Sequence, residues 1–166
     1  MKILVKLGIF VVWLIAGFNS AVAQQFGTSV PMTDKGVATY YVAGEIAGYG
    51  TVEFMVDTGS GYMTINEQTL FALLERGQAE YVSLLEAVLA DGKHTQVPVY
   101  TLSGINIGGQ CWVNNVEAAV FPGNTRQILG LSALKTVSPF IFSFDPPELI
   151  LSHCGGMQQT KLQFEQ

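Results

Sequence analysis

The chain has 166 residues, of which 49% are apolar and 13% charged, with 8 basic against 13 acidic side chains and a formal net charge of -5. That composition excludes a disordered acidic tail, a basic nucleic-acid binder and a protein threaded repeatedly through a membrane. The length suits one ordinary domain with its own core, and is short for an enzyme whose site lies between two lobes of a single chain.

Residues 1–23 read as a secretory signal. Lys2 and Lys6 give a positive start, Leu7 to Ala16 form an apolar run, and Ala21-Val22-Ala23 place small side chains before a cut after Ala23. The competing reading is an uncleaved membrane anchor. The uncharged apolar stretch falls short of the roughly 20 residues a spanning helix needs, so no stable anchor is expected. Removing 23 of the 166 residues leaves 143 and takes away two lysines, so the exported chain carries 6 basic against 13 acidic side chains, net -7. Such a surface repels nucleic-acid phosphates and anionic lipid headgroups, and no nucleic-acid partner is expected. The domain is expected over residues 24–154, in the periplasm or outside the cell, with a polar tail at 155–166.

From Gln24 to Gly36 the chain is polar and reads as a leading arm. Val37 to Ile46, rich in Tyr and Val, and the alternating Thr51 to Val56 form a hairpin around Gly48-Tyr49-Gly50. Thr64-Ile65 continues as strand, and Asn66 caps a helix through Glu75 with Leu70, Leu73 and Leu74 on one face. Residues 79–90 are ambiguous. Tyr81, Leu84, Leu85, Val88 and Leu89 fall at helical spacing, yet the stretch ends in Asp91-Gly92, a strong hairpin turn, and a strand-like segment follows.

Beyond it, Leu102 to Ile107 and Cys111 to Phe121 are strands joined by Gly108-Gly109, and Gln127 to Gly130 is a short strand before a helical turn at Ser132 to Lys135. Phe140 to Phe144 and Glu148 to Ser152 pair across Pro146-Pro147, where no ladder donor is needed. In the tail, Leu162 and Phe164 can add an edge strand. The sum is a mainly β single domain with one or two short helices. Cys111 and Cys154 are the only cysteines. An even count in an exported chain suggests one disulfide, against two buried thiols or a bridge between chains, and no metal site is expected of them.

The chemistry-bearing segment is Asp57-Thr58-Gly59-Ser60. These are ordinary turn residues, and Asp57 could simply bond its own backbone two residues on. The context is more specific, because an apolar strand, Phe54-Met55-Val56, delivers the carboxylate and a sharp glycine turn follows. Late in the chain stands Ile128-Leu129-Gly130, which alone reads as a core strand. Together the two segments resemble those of the retropepsin-like aspartic proteases. The resemblance runs from about Val37 to Ser152 and includes Leu89-Ala90-Asp91-Gly92 and Ile107-Gly108. Within that family the chain is most similar to the small exported bacterial single-domain type, which shares the turn and the Val97-Pro98-Val99 strand.

The resemblance implies an all-β acid-protease barrel and a homodimer. It implies that Ile128, Leu129 and Gly130 support the Asp57 loop, that residues 83–101 are a flap hairpin with strands near 83–90 and 93–101, and that Leu89, Ala90, Asp91 and Gly92 close over substrate. Thr58 would bond across the dimer axis. Peptide hydrolysis with neither a metal nor a covalent intermediate uses a water held between two carboxyl groups, one ionised and one protonated, and no cofactor is expected. Two such groups about 3 Å apart share a proton and titrate as a pair. Asp34, Asp91 and Asp145 lie in the arm and in turns, so the partner of Asp57 is expected to be the Asp57 of a second copy. Gly59 leaves room for a substrate backbone, and the Ser60 hydroxyl is expected to bond the outer oxygen of Asp57. The viral ion-pair positions are Gly61 and Leu131 here. The expected function is an aspartic endopeptidase acting on peptides; the alternative is an inactive peptide-binding or scaffold module on the same fold.

Overall fold

The structure, a computed structural model, describes residues 27–89 and 91–155. The expected signal segment, the tail from residue 156 with Leu162 and Phe164, and Ala90 lie outside the described residues.

The leading arm resolves into two short strands, β1 (Thr28–Pro31) and β2 (Thr33–Asp34). The expected hairpin follows as β3 (Tyr40–Ile46) and β4 (Gly50–Val56). Next, β5 (Met63–Asn66) runs straight into α1 (Glu67–Glu75), and the Asn66 side chain caps it by accepting the Thr69 amide at 2.9 Å. Thr69, Leu70 and Leu73 are buried, whereas Leu74 is 43% exposed. The helix touches the barrel along a narrow stripe, and Leu74 lies about 100° round from Leu73.

The ambiguous segment is strand. β6 (Ala79–Val88) pairs antiparallel with β7 (His94–Ile107) from Ala79↔Leu102 to Val88↔His94, with a bulge between Tyr81 and Ser83. It starts earlier than residue 83, and β7 is one strand where two were expected. Ser103 does not break β7, since its amide donates to the Gln78 carbonyl at 3.0 Å. The apolar residues that mimic a helix divide between faces: Tyr81, Leu84 and Val88 point to solvent, while Leu85, Ala87 and Leu89 are half-buried. Ladder bonds to β7 outweigh the helical spacing.

The remaining elements are β8 (Cys111–Phe121), β9 (Ile128–Leu129), α2 (Leu131–Leu134) running into a 3-10 turn, β10 (Phe140–Phe144) and β11 (Pro147–Leu151). Pro147 opens β11 opposite Phe144 instead of sitting in the turn, a position proline tolerates as the first strand residue.

Strands β3, β4, β9, β5, β8 and β7 hydrogen-bond in that order, and β7 returns to β3 through Gly44↔Ile107 and Ile46↔Ile105. The result is a closed barrel, which leaves no free edges within the ring. Val42, Ile46, Phe54, Ile65, Leu102, Ile105, Ile107 and Leu129 are fully buried, and each contributes about 1.5–3 kcal/mol relative to exposure. β2 and β6 attach where β3 and β7 leave the ring, so the β6–β7 hairpin projects beyond the barrel. β1, β11 and β10 form a separate three-stranded sheet that joins the two ends of the domain. Cys111 and Cys154 are disulfide-bonded with Cα atoms 4.7 Å apart, fastening the chain after β11 to the start of β8.

Candidate active site

β4 carries Asp57 to the rim of the barrel, and β9 lies parallel beside it with Val56 opposite Leu129. The Asp57 amide donates to the Leu129 carbonyl at 3.2 Å, and the Leu131 amide donates to the Ser60 carbonyl at 2.8 Å. The loop is therefore bonded to the strand-to-helix junction on both sides of Gly130. Further support comes from Ser132, whose hydroxyl oxygen accepts the Met63 amide at 2.7 Å and donates to the Glu117 carbonyl at 2.6 Å. A side chain at Gly130 would run into the Tyr62 carbonyl, so this position must be glycine for the two loops to interlock.

Within the loop, Asp57 Oδ1 accepts the Gly59 amide at 2.9 Å and the Ser60 amide donates to the Asp57 carbonyl at 3.3 Å. A Cβ on Gly59 would stand 3.1 Å from Asp57 Oδ1, crowding the carboxylate. Thr58 is exposed, and its hydroxyl bonds no other described residue. Ser60 differs from expectation: its hydroxyl donates to the Tyr62 carbonyl at 2.7 Å, which tightens the turn instead of touching the outer oxygen of Asp57.

The loop opens on a cavity of about 680 Å³ lined by Asp57, Gly59 and Ser60, by Thr64, Ala119 and Ile128 from the barrel, and by Leu85 to Leu89 from the projecting hairpin. Of the expected flap residues, Leu89 lines it. Asp91 and Gly92 shape the tip: the Gly92 amide donates to the Leu89 carbonyl at 2.8 Å, and Asp91 Oδ1 accepts the Lys93 amide at 3.1 Å. Lys93 Nζ also lies 2.8 Å from Asp91 Oδ2. The Lys93 side chain, then its backbone amide, holds the Asp91 carboxyl below its ordinary range. The expected supporting segment splits, with Ile128 facing the cavity and Leu129 fully buried in the core. Sequence reasoning missed Tyr62, Thr64, Ala119, Phe121, Thr125 and Arg126 as lining residues. Strand alternation in β6 could have singled out Leu85 and Ala87, but the parallel pairing of β5 with β8 that brings Thr64 beside Ala119 has no local sequence signal.

A closed barrel with one Asp-Thr-Gly loop, an interlocked Gly junction and an overhanging hairpin is the architecture of a retropepsin-like aspartic protease domain. Residues 42–136 match the family described as "gag-polyprotein putative aspartyl protease", and the chain belongs to this family of retropepsin-like aspartic proteases. Among solved structures it is similar to a retropepsin-like aspartic protease from Rickettsia conorii, with 21% identity and a TM-score of 0.54 over 75% of this chain and 88% of that one. No functionally curated protein matches it.

Proposed function

We propose that the chain is an aspartic endopeptidase assembled as a homodimer, each protomer supplying one Asp57. The observation that carries this is the isolation of Asp57 on a rigid, outward-facing loop. The other carboxylate lining the cavity, Glu86, sits on the hairpin and faces the His94 ring nitrogen at 2.9 Å. Thr58 is exposed beside Asp57, which supports a contact with its symmetry mate in that dimer. β10, an outer edge of the three-stranded sheet, presents Ile141 and Phe144, exposed by 40% and 67%, which supports a second apolar contact surface.

In that assembly a water lies between the two carboxyl groups. The ionised one takes its proton as the water oxygen attacks the peptide carbonyl, while the protonated one donates to the carbonyl oxygen. The resulting diol collapses as a proton passes to the amide nitrogen and the C–N bond breaks. The β6–β7 hairpin excludes solvent and offers backbone groups to an extended substrate.

The domain boundaries belong to the same proposal: a signal at 1–23, a mature domain at 24–154, and a tail at 155–166. The Cys111–Cys154 bond is of a kind maintained in oxidising compartments and supports export to the periplasm or beyond. The test is hydrolysis of an unstructured protein between about pH 3 and 7, the range over which carboxyl pairs operate, with wild type and Asp57→Asn. Loss of about 10²–10⁴-fold is expected. Equal activity of the two proteins, or a strict monomer that hydrolyses peptides, would overturn the reading; a monomer that binds peptides without cleaving them would make it a binding module.

A further inference from the structure

The cavity over Asp57 is walled by Leu85, Ala87 and Leu89 from the hairpin and by Ala119, Phe121 and Ile128 from the barrel. Against this apolar lining stands one basic side chain, Arg126. It precedes β9 and shares a strand face with Ile128. The register extends that face from Ile128 to Met55 in β4, and from Met55 to Tyr41 in β3. The guanidinium follows the same row, with Nη1 3.5 Å from Met55 Sδ and 3.4 Å from the Tyr41 hydroxyl. Arg126 also lines an adjoining open hollow of about 670 Å³, together with Tyr41, Tyr49, Asn124 and Gln127. It therefore marks the border where the apolar cleft passes into a polar groove.

Neither Met55 nor Tyr41 neutralises that charge. The carboxylates lining the two hollows are engaged elsewhere: Glu53 pairs with Lys35, Glu86 faces His94, and Asp57 Oδ1 holds the Gly59 amide. Among the described residues Arg126 joins no ion pair; Arg76 and Lys135 join none either, but neither of those lines the cleft or the adjoining hollow. What distinguishes Arg126 is its place: it is the one basic side chain among the residues lining the cleft, exposed at its edge with no carboxylate partner.

We propose that Arg126 forms an anion-accepting subsite that selects peptides carrying a Glu or Asp side chain a few residues from the cleaved bond. The inference rests on the peptidase reading above and names its substrate class. A guanidinium presents paired N–H donors that match a carboxylate, and the Tyr41 hydroxyl beside it offers one more. The residues next to the cleaved bond remain apolar, matching the leucines and Phe121. In a two-fold dimer each protomer contributes one Arg126, so the preferred substrates carry an acid on both sides of the bond.

The experiment compares matched peptides bearing Glu or Gln at each flanking position. In the wild type, kcat/KM for Glu exceeds that for Gln by about fivefold at one position or more, the upper range for an exposed ion pair. The preference fades below about pH 4.3, where the substrate carboxylate takes up a proton. Arg126→Gln abolishes it and Arg126→Glu turns it toward Lys. Binding of the same peptides to Asp57→Asn, followed by fluorescence anisotropy, reads the subsite without turnover. If wild type cleaves nothing but Asp57→Asn still prefers Glu and loses the preference with Arg126→Gln, the subsite stands and the peptidase reading falls. Equal handling of Glu and Gln at every position, a preference that survives Arg126→Gln, or no peptide binding at all would overturn the subsite.

Discussion

Asp57 is held by Leu129: its amide donates to the Leu129 carbonyl at 3.2 Å, across the parallel register of β4 and β9. A carboxylate at the end of a strand would otherwise sit on a free loop. This bond, with that of the Leu131 amide to the Ser60 carbonyl, fixes the loop from a segment far along the chain, so the placement of Asp57 depends on the barrel being closed. Preorganised placement of this kind is what a water-activating carboxylate needs.

Gly130 is the tightest point of that arrangement. Gly130→Ala drives a methyl into the Tyr62 carbonyl, and the two loops must separate to admit it. Overpacking of this kind costs about 1–3 kcal/mol. Urea unfolding is expected to show that loss, and peptidase activity to fall by more than stability alone explains, because Asp57 moves with the junction.

Ser60 tests the local hydrogen-bond assignment. Because its hydroxyl donates to the Tyr62 carbonyl at 2.7 Å, Ser60→Ala removes one turn-closing bond, worth about 0.5–1.5 kcal/mol. The pH–rate profile should keep its position. A displaced acid limb in Ser60→Ala would show instead that the hydroxyl serves the carboxylate.

Reduction of Cys111–Cys154 opens a constraint spanning 43 positions. Chain-entropy arguments put its contribution at about 4 kcal/mol, and measured values are often smaller. Denaturation with and without reductant is expected to differ by about 2–4 kcal/mol. The Cys111→Ala, Cys154→Ala double variant should match the reduced protein.

The hairpin tip has its own pH dependence. Asp91 is held below its ordinary value of 3.8 by the Lys93 side chain and amide. A lowered folded-state value means that the interaction is fully present above the unfolded carboxylate range and is lost as pH falls through the lowered value. Exchange of the Lys93 amide should therefore quicken, beyond the intrinsic pH trend, only in strong acid. Asp91→Asn should abolish that step while leaving the barrel amides unchanged.

Much of this protein was legible in its sequence because the signals are local. Period-two alternation and glycine turns marked β3, β4, β8, β10 and β11, Asn66 announced α1, and two cysteines in an exported-looking chain announced their bond. Asp57-Thr58-Gly59 needed a distant Ile128-Leu129-Gly130 beside it to be informative, and family resemblance supplied that pairing. Residues 79–90 show where local signal fails: their helical spacing is overruled by ladder bonds to β7, which no window of sequence contains.

The chain by itself determined which chemical groups are available: one candidate catalytic carboxylate, a glycine beside it, and a surplus of acidic side chains. Only the tertiary structure decided what those groups meet. The parallel pairing of β4 with β9 tied the Asp57 amide to Leu129, that of β5 with β8 set Thr64 beside Ala119, and the closed ring left Arg126 without an ion pair at the edge of an apolar cleft. Residue identity is carried by sequence, but the partner of a buried or half-buried polar group is set by register between strands distant in the chain.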